Sequence, residues 1–184
     1  KLEAFADRIL QFKEKTLYII NVAQNSEFLE HVHPFKGISY EFHSTKTDKG
    51  IAFFNEYGAY LYDGNNVIDL LERNGQVVIS EDTWFDFIDA NGNIALASVG
   101  YAPKKHQIVF MNKFADIYVY NLKLGSWHIG DNLMDYHDFD GREVTKFGVN
   151  GSNEMFLIGG TKSQISKYTH ASSPTHDFTY TTKD

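Results

Sequence analysis

The sequence predicts an all-β chain made of recurring antiparallel strand groups, and three observations carry that prediction. Runs rich in Ile, Val, Phe and Tyr recur along the 184 residues, bounded by Gly, Asn, Asp or Lys, and such residues favour a half-buried pleated surface. No window of helical length sustains a 3.6-residue period. A strand, loop, strand phrase returns four times, and a phrase returning at this scale marks a fold of stacked units.

The chain opens on its nearest helix candidate, Leu2 to Leu10, whose Leu2, Phe5, Ile9 and Leu10 could share one face. Arg8 to Phe12 reads equally well as a strand entering a Lys13–Lys15 turn. The first copy of the phrase then opens at Thr16-Leu-Tyr-Ile-Ile-Asn21. The second opens at Ile51-Ala-Phe-Phe-Asn55 and continues through Ala59–Asp63, a Gly64-Asn65-Asn66 turn and Val67–Leu71. The third opens at Ile108-Val-Phe-Met-Asn112 and continues through Asp116–Tyr120, a Leu124-Gly125 turn and Ser126–Ile129. The fourth opens at Met155–Gly159 and continues through Gln164–Tyr168. With Ile19, Phe53, Phe110 and Leu157 as equivalent positions, the spacings are 34, 57 and 47 residues, on either side of the roughly 40 to 50 of a propeller blade. The long interval predicts an extra hairpin from Val77 to Ile94 around an Asn91-Gly92 turn, with Trp84, Phe85, Phe87 and Ile88 on its strands.

Ile108–Met111 and Ile117–Tyr120 are apolar or aromatic at consecutive positions, as in strands covered on both faces. Radially stacked blades would produce that pattern. A two-sheet sandwich or an up-and-down barrel would alternate more cleanly, as Ser39-Tyr-Glu-Phe-His43 does. The expected architecture is therefore β-propeller-like, with about four degenerate antiparallel blades near residues 8–35, 38–72, 95–130 and 144–170. They form one domain over 1–184 or part of a larger propeller, and the sandwich is the competing reading.

A hydrophobic content of 42% supports a buried core. The charge of −7, with no basic run longer than Lys104-Lys105, disfavours a protein that tracks a nucleic-acid backbone. The absence of cysteine excludes disulfides and thiolate metal ligands. No apolar run approaches the roughly 18 to 20 residues of a membrane helix, so no membrane anchor is expected.

Each cluster that could carry chemistry has a plainer explanation beside it. His31 and His33 would project from one face of a strand, and Glu27, Glu30 or His43 could approach a shared metal, but two histidines at this spacing are more simply surface groups. Asp89-Ala-Asn-Gly-Asn93 resembles half of a calcium loop, yet the twelfth position is Gly100 where a bidentate Glu is needed, which leaves a tight turn. Asp135, Asp138, Asp140 and Glu143 with His137 form the densest polar cluster, and would suit a cation, a glycosidase carboxylate pair or a solvated loop. Ser126-Trp127-His128 puts neighbours on opposite faces of a strand, and there is no Gly-x-Ser-x-Gly elbow. Gly148–Ser152 and Gly159-Gly160-Thr161 lack the Lys-Ser/Thr ending of a phosphate loop. Tyr57, Tyr101 and Tyr136 could stack on a sugar if exposed. Trp127, seven residues after Tyr120, matches kelch-type blade spacing. No catalytic, cofactor-binding or metal residue is assigned, and the chain reads as a non-enzyme without cofactors.

The phrases Arg8–Asn21, Gly50–Gly64, Gly100–Phe110 and Asp116–Trp127 resemble blades of propeller-bearing tail proteins of double-stranded-DNA bacteriophages, of the tail nozzle or head-to-tail completion type. Phe178–Asp184 resembles the exit from such a propeller into a following β-domain, which implies a fragment. The resemblance implies a structural virion component located in the tail. Such a component forms a homo-oligomeric ring, contacts other tail or portal proteins, and lines a channel whose negative wall lets DNA slide during ejection. A carbohydrate-binding propeller for host-surface recognition is the alternative, and a propeller glycosidase a third.

Overall fold

The computed structural model describes residues 1–23, 26–89, 92–130, 146–159 and 164–168. The chain is all-β in class, with several antiparallel sheets and one α-helix among the described residues. It divides into two compact units, Lys1–Phe85 and Asp86–Asp184. No helix among the described residues is long and apolar enough to cross a membrane.

The first unit opens with a four-stranded meander of β1 (Leu2–Phe5), β2 (Arg8–Phe12), β3 (Thr16–Asn21) and β4 (Phe28–Pro34), in that order. The helix candidate over Leu2–Leu10 is thereby corrected. Ala6 takes a positive φ of 49° and the chain reverses, so that Leu2 pairs with Gln11 and Phe5 with Arg8. Phe5 and Leu10 reach one core from two strands instead of one helical stripe.

A second meander follows, made of β5 (Ser44–Lys46), β6 (Ile51–Asn55), β7 (Gly58–Tyr62) and β8 (Val67–Asp69). The core lies between the two sheets, where Leu10, Phe12, Leu17 and Ile19 meet Ile51, Phe53, Tyr60 and Tyr62. Each fully buried side chain of this size is worth about 1.5 to 3 kcal/mol. Ser39–His43 is not the alternating strand its pattern suggests. Glu41–His43 is a 3-10 turn, and His43 is fully buried with its ring 4.2 Å from that of Phe54, because an imidazole can serve as an aromatic filler once its neighbours cover it.

After a short hairpin of β9 (Glu72–Arg73) and β10 (Gln76–Val77) comes α1 (Glu81–Ile88), where a hairpin strand and no helix are expected. Local chemistry explains the correction. Ser80 caps the start, its Oγ accepting from the Thr83 N–H at 3.1 Å, and Glu81 and Asp82 in the first turn suit the positive end of the helix dipole. Trp84, Phe87 and Ile88 are buried while Phe85 is exposed, a helical spacing short enough to pass for a strand run.

The second unit repeats the four-stranded meander with β11 (Ser98–Ala102), β12 (Gln107–Met111), β13 (Ile117–Asn121) and β14 (Ser126–Gly130). β15 (Lys146–Val149), β16 (Met155–Gly159) and β17 (Gln164–Lys167) form a three-stranded sheet. Val109, Met111, Ile117 and Val119 of the one pack with Met155 and Leu157 of the other. As expected from consecutive apolar residues, every residue of β12 is buried, as are Ile117, Tyr118 and Val119.

The repeat is thus one of sheets, but its first copy is set one strand late. Phe53, Phe110 and Leu157 lie on the second strands of their sheets, whereas Ile19 lies on a third strand and pairs with Leu10 on the second. The Asn that closes so many strands is turn chemistry. The Oδ1 atoms of Asn21, Asn55, Asn112, Asn121 and Asn150 each accept the backbone N–H two residues on, at 2.8 to 3.0 Å.

Candidate functional site

The most constrained exposed surface of the first unit is the turn after β4. Pro34 cannot continue the sheet ladder, so the chain leaves the strand, and Phe35 enters the left-handed region at φ 62°. That costs a non-glycine residue about 1 to 2 kcal/mol. Two backbone bonds hold it there, from Phe35 N–H to the Lys15 carbonyl at 2.7 Å and from Ile38 N–H to the Lys13 carbonyl at 2.9 Å. The ring gains little in return, since Phe35 is 61% exposed.

Asn55, buried at the end of β6, ties this turn to the next one. Its Nδ2 donates to the carbonyls of Phe35 and Gly37, both at 2.9 Å, while its Oδ1 accepts the Tyr57 N–H at 2.9 Å. One amide therefore places two exposed aromatics, and Phe35 and Tyr57 meet edge to face with centroids 5.8 Å apart. Asn55→Leu leaves two carbonyls and one N–H without these partners. Unit 1 is expected to lose roughly 2 to 4 kcal/mol, read by urea unfolding, and a loss below about 0.5 kcal/mol would show the amide to be dispensable.

Polar groups line the same turn. Lys36 Nζ stands 3.5 Å from the centre of the Tyr60 ring and 3.7 Å from Asp69 Oδ2. Burial lowers its pKa against the opposing pull of Asp69. The Tyr60 phenol is pushed well above its ordinary range by burial, with Asp69 and Glu81 adding to the effect. Burial also lowers the pKa of His33, helped by His31 and Lys36, so its imidazole stays neutral at pH 7 and can both donate and accept.

The histidine pair lies side by side on β4 as expected, with ring centroids 5.9 Å apart. Two of the possible third ligands go elsewhere. Glu30 is paired with Arg8 and accepts from Asn21 at 3.3 Å, which holds its carboxyl below the usual range. His43 sits in the core beside Phe54 and Tyr40. Among the described residues no three His, Cys, Asp or Glu gather around a common point.

Asp89 follows α1, its Oδ1 accepting the Ile94 N–H at 3.1 Å; the hairpin expected around it is replaced by the helix, and Asn91 lies outside the described residues. The Gly148–Ser152 segment is the end of β15 and the start of a hairpin turn built on Asn150. Trp127 packs on Phe110, Tyr118 and Tyr120 of its own sheet. Tyr57 is exposed, but Tyr101 is 6% exposed on the fully buried β11, so the sugar-stacking expectation fails for it. Tyr136, the Asp135–Glu143 cluster, Gly160-Thr161 and Phe178–Asp184 lie outside the described residues.

Phe35, Lys36 and Asn55 were not legible as a site. A Phe between Pro34 and Lys36-Gly37 in a turn is the signal that could have found it, because turns seldom carry a large apolar ring without a use. No protein-family model, no curated protein and no solved structure matches the chain.

Proposed function

We propose that the chain is a propeller-type structural module of a bacteriophage tail, of the nozzle or head-to-tail connector kind, working through protein interfaces around the DNA channel. The viral part of this reading rests on the resemblance of the strand phrases. Sequential antiparallel meanders, two of four strands in the first unit and one of four with one of three in the second, packed in pairs within each unit, favour the propeller.

The observation that carries the interface role is the outer face of the first sheet. Leu2, Ile9, Tyr18, Ile20, Leu29 and Val32 alternate with the core residues and, by register, share this face with Ala4 and Gln11. None of the eight is charged and none is buried. Leu2, Leu29 and Val32 are 64%, 54% and 48% exposed. The inner strands β6, β7 and β12 are buried along their whole length, so the same kind of strand here lacks a cover. An apolar sheet face of this kind marks an interaction site.

The occupant is a second copy of the chain, since an uncharged face can meet its own kind without repulsion. Sedimentation analysis is expected to show concentration-dependent association, weakened at least about tenfold by Leu29→Asp, which would bury a charge. A monomer at every concentration would remove the self-association reading. Antibody against the chain is expected to label the tail of particles of the phage that encodes it, and labelling elsewhere or nowhere would reject the viral role.

A further inference from the structure

We propose that the Phe35–Tyr57 corner is a carbohydrate-binding site that stacks the C–H face of a pyranose ring. This goes beyond the assembly role, and it uses a different surface, the turns after β4 and β6 instead of the outer face of the first sheet.

The geometry is that of a prepared site. The two rings stand at 83° to each other, giving a floor and a wall of exposed aromatic carbon. Both turns are held by the one buried amide of Asn55, so little ordering remains to be done when a ligand arrives. Phe35 keeps a left-handed backbone and 61% exposure together, a combination that packing within the unit does not reward.

The surroundings select the ligand class. The neighbouring Glu56 raises the pKa of the Tyr57 phenol, and in the turn itself Lys36 lies beside Asp69. Donors and acceptors are therefore mixed, as the hydroxyls of a sugar require. The Lys36 ammonium is already paired with the Asp69 carboxylate, which disfavours phosphate or another anion. Protein is disfavoured by area. An aromatic side chain offers roughly 150 to 250 Å², so these two partly exposed rings present on the order of 200 Å², against about 800 Å² per partner in a stable interface.

Saturation-transfer NMR on the full chain with the methyl glycosides of glucose, galactose, mannose and N-acetylglucosamine tests this. At least one is expected to receive saturation at its ring protons, and the signal is expected to fall at least fivefold in Tyr57→Ala and in Phe35→Gly. Phe35→Gly is the sharper variant because glycine accepts the positive φ. It should melt at a higher temperature than the parent while losing the sugar, so lost binding cannot be ascribed to misfolding. Leu29→Asp should keep the sugar signal while losing self-association, which separates this proposal from the assembly reading. No transfer to any of the four glycosides at millimolar concentration, or transfer unchanged in Phe35→Gly, would overturn it. So would a Phe35→Gly variant that loses self-association and not sugar.

Discussion

Gly37→Ala is expected to destabilise the first unit by about 4 kcal/mol or more, the range reserved for a side chain with nowhere to go. A Cβ on Gly37 would collide with the Lys13 carbonyl oxygen and the Thr16 nitrogen, and would lie 2.6 Å from the Glu14 carbonyl carbon. All three are backbone atoms of the turn between β2 and β3. They cannot swing aside as a flexible side chain can. Nor can Gly37 retreat, since its carbonyl is held by Asn55 and the next residue is bonded to Lys13. The chain has two tryptophans, Trp84 and Trp127, one in each unit. In a Trp127→Phe background Trp84 becomes the sole indole reporter, and urea unfolding followed by its fluorescence measures the effect. A loss under about 1 kcal/mol would mean that the two turns do not approach as closely as described.

Trp84→Ala is expected to cost about 3 to 5 kcal/mol, the usual penalty for emptying a fully buried large aromatic site. Trp84 is 0% exposed, its ring lies against Phe54, and its Nε1 donates to the Asn55 carbonyl at 2.9 Å. The substitution therefore removes both volume and the partner of a buried carbonyl beside the aromatic corner. Its neighbour supplies the contrast. Phe85 is 44% exposed, and Phe85→Ala is expected to change stability by no more than about 0.5 kcal/mol. Circular dichroism during thermal unfolding reads both variants. Equal losses at the two positions would contradict the helical arrangement of this segment.

That segment shows why some of the fold escaped a reading of the sequence. Eight residues from Glu81 to Ile88 span little more than two helical turns, too few for apolar periodicity to stand out against an aromatic-rich background. The cap at Ser80 and the acidic first turn were present, but they are weak signals alone. The first sheet was displaced for another reason. Arg8–Phe12 and Thr16–Asn21 are equally good strands, and only pairing tells which is second and which is third in its sheet. His43 and Tyr101 were misread because exposure belongs to the neighbours of a residue as much as to the residue.

Strand-forming runs, the consecutive apolar residues of β12 and β13, and the asparagine turns were legible because they depend on a side chain and on atoms a few residues away. Dihedral preference and Asx hydrogen bonding are local, and one stretch of sequence contains both partners. The sequence by itself therefore determined the all-β class and most of the strands. Tyr57 was open to that reasoning as a sugar-stacking candidate, but the corner it forms was not. Phe35 and Tyr57 stand 22 positions apart in the sequence, and they meet because the amide of Asn55 bonds to both turns once two sheets have packed. The same holds for the outer face of the first sheet. Its apolar residues were visible as letters, but whether anything covers them is a property of packing, which tertiary structure alone decides.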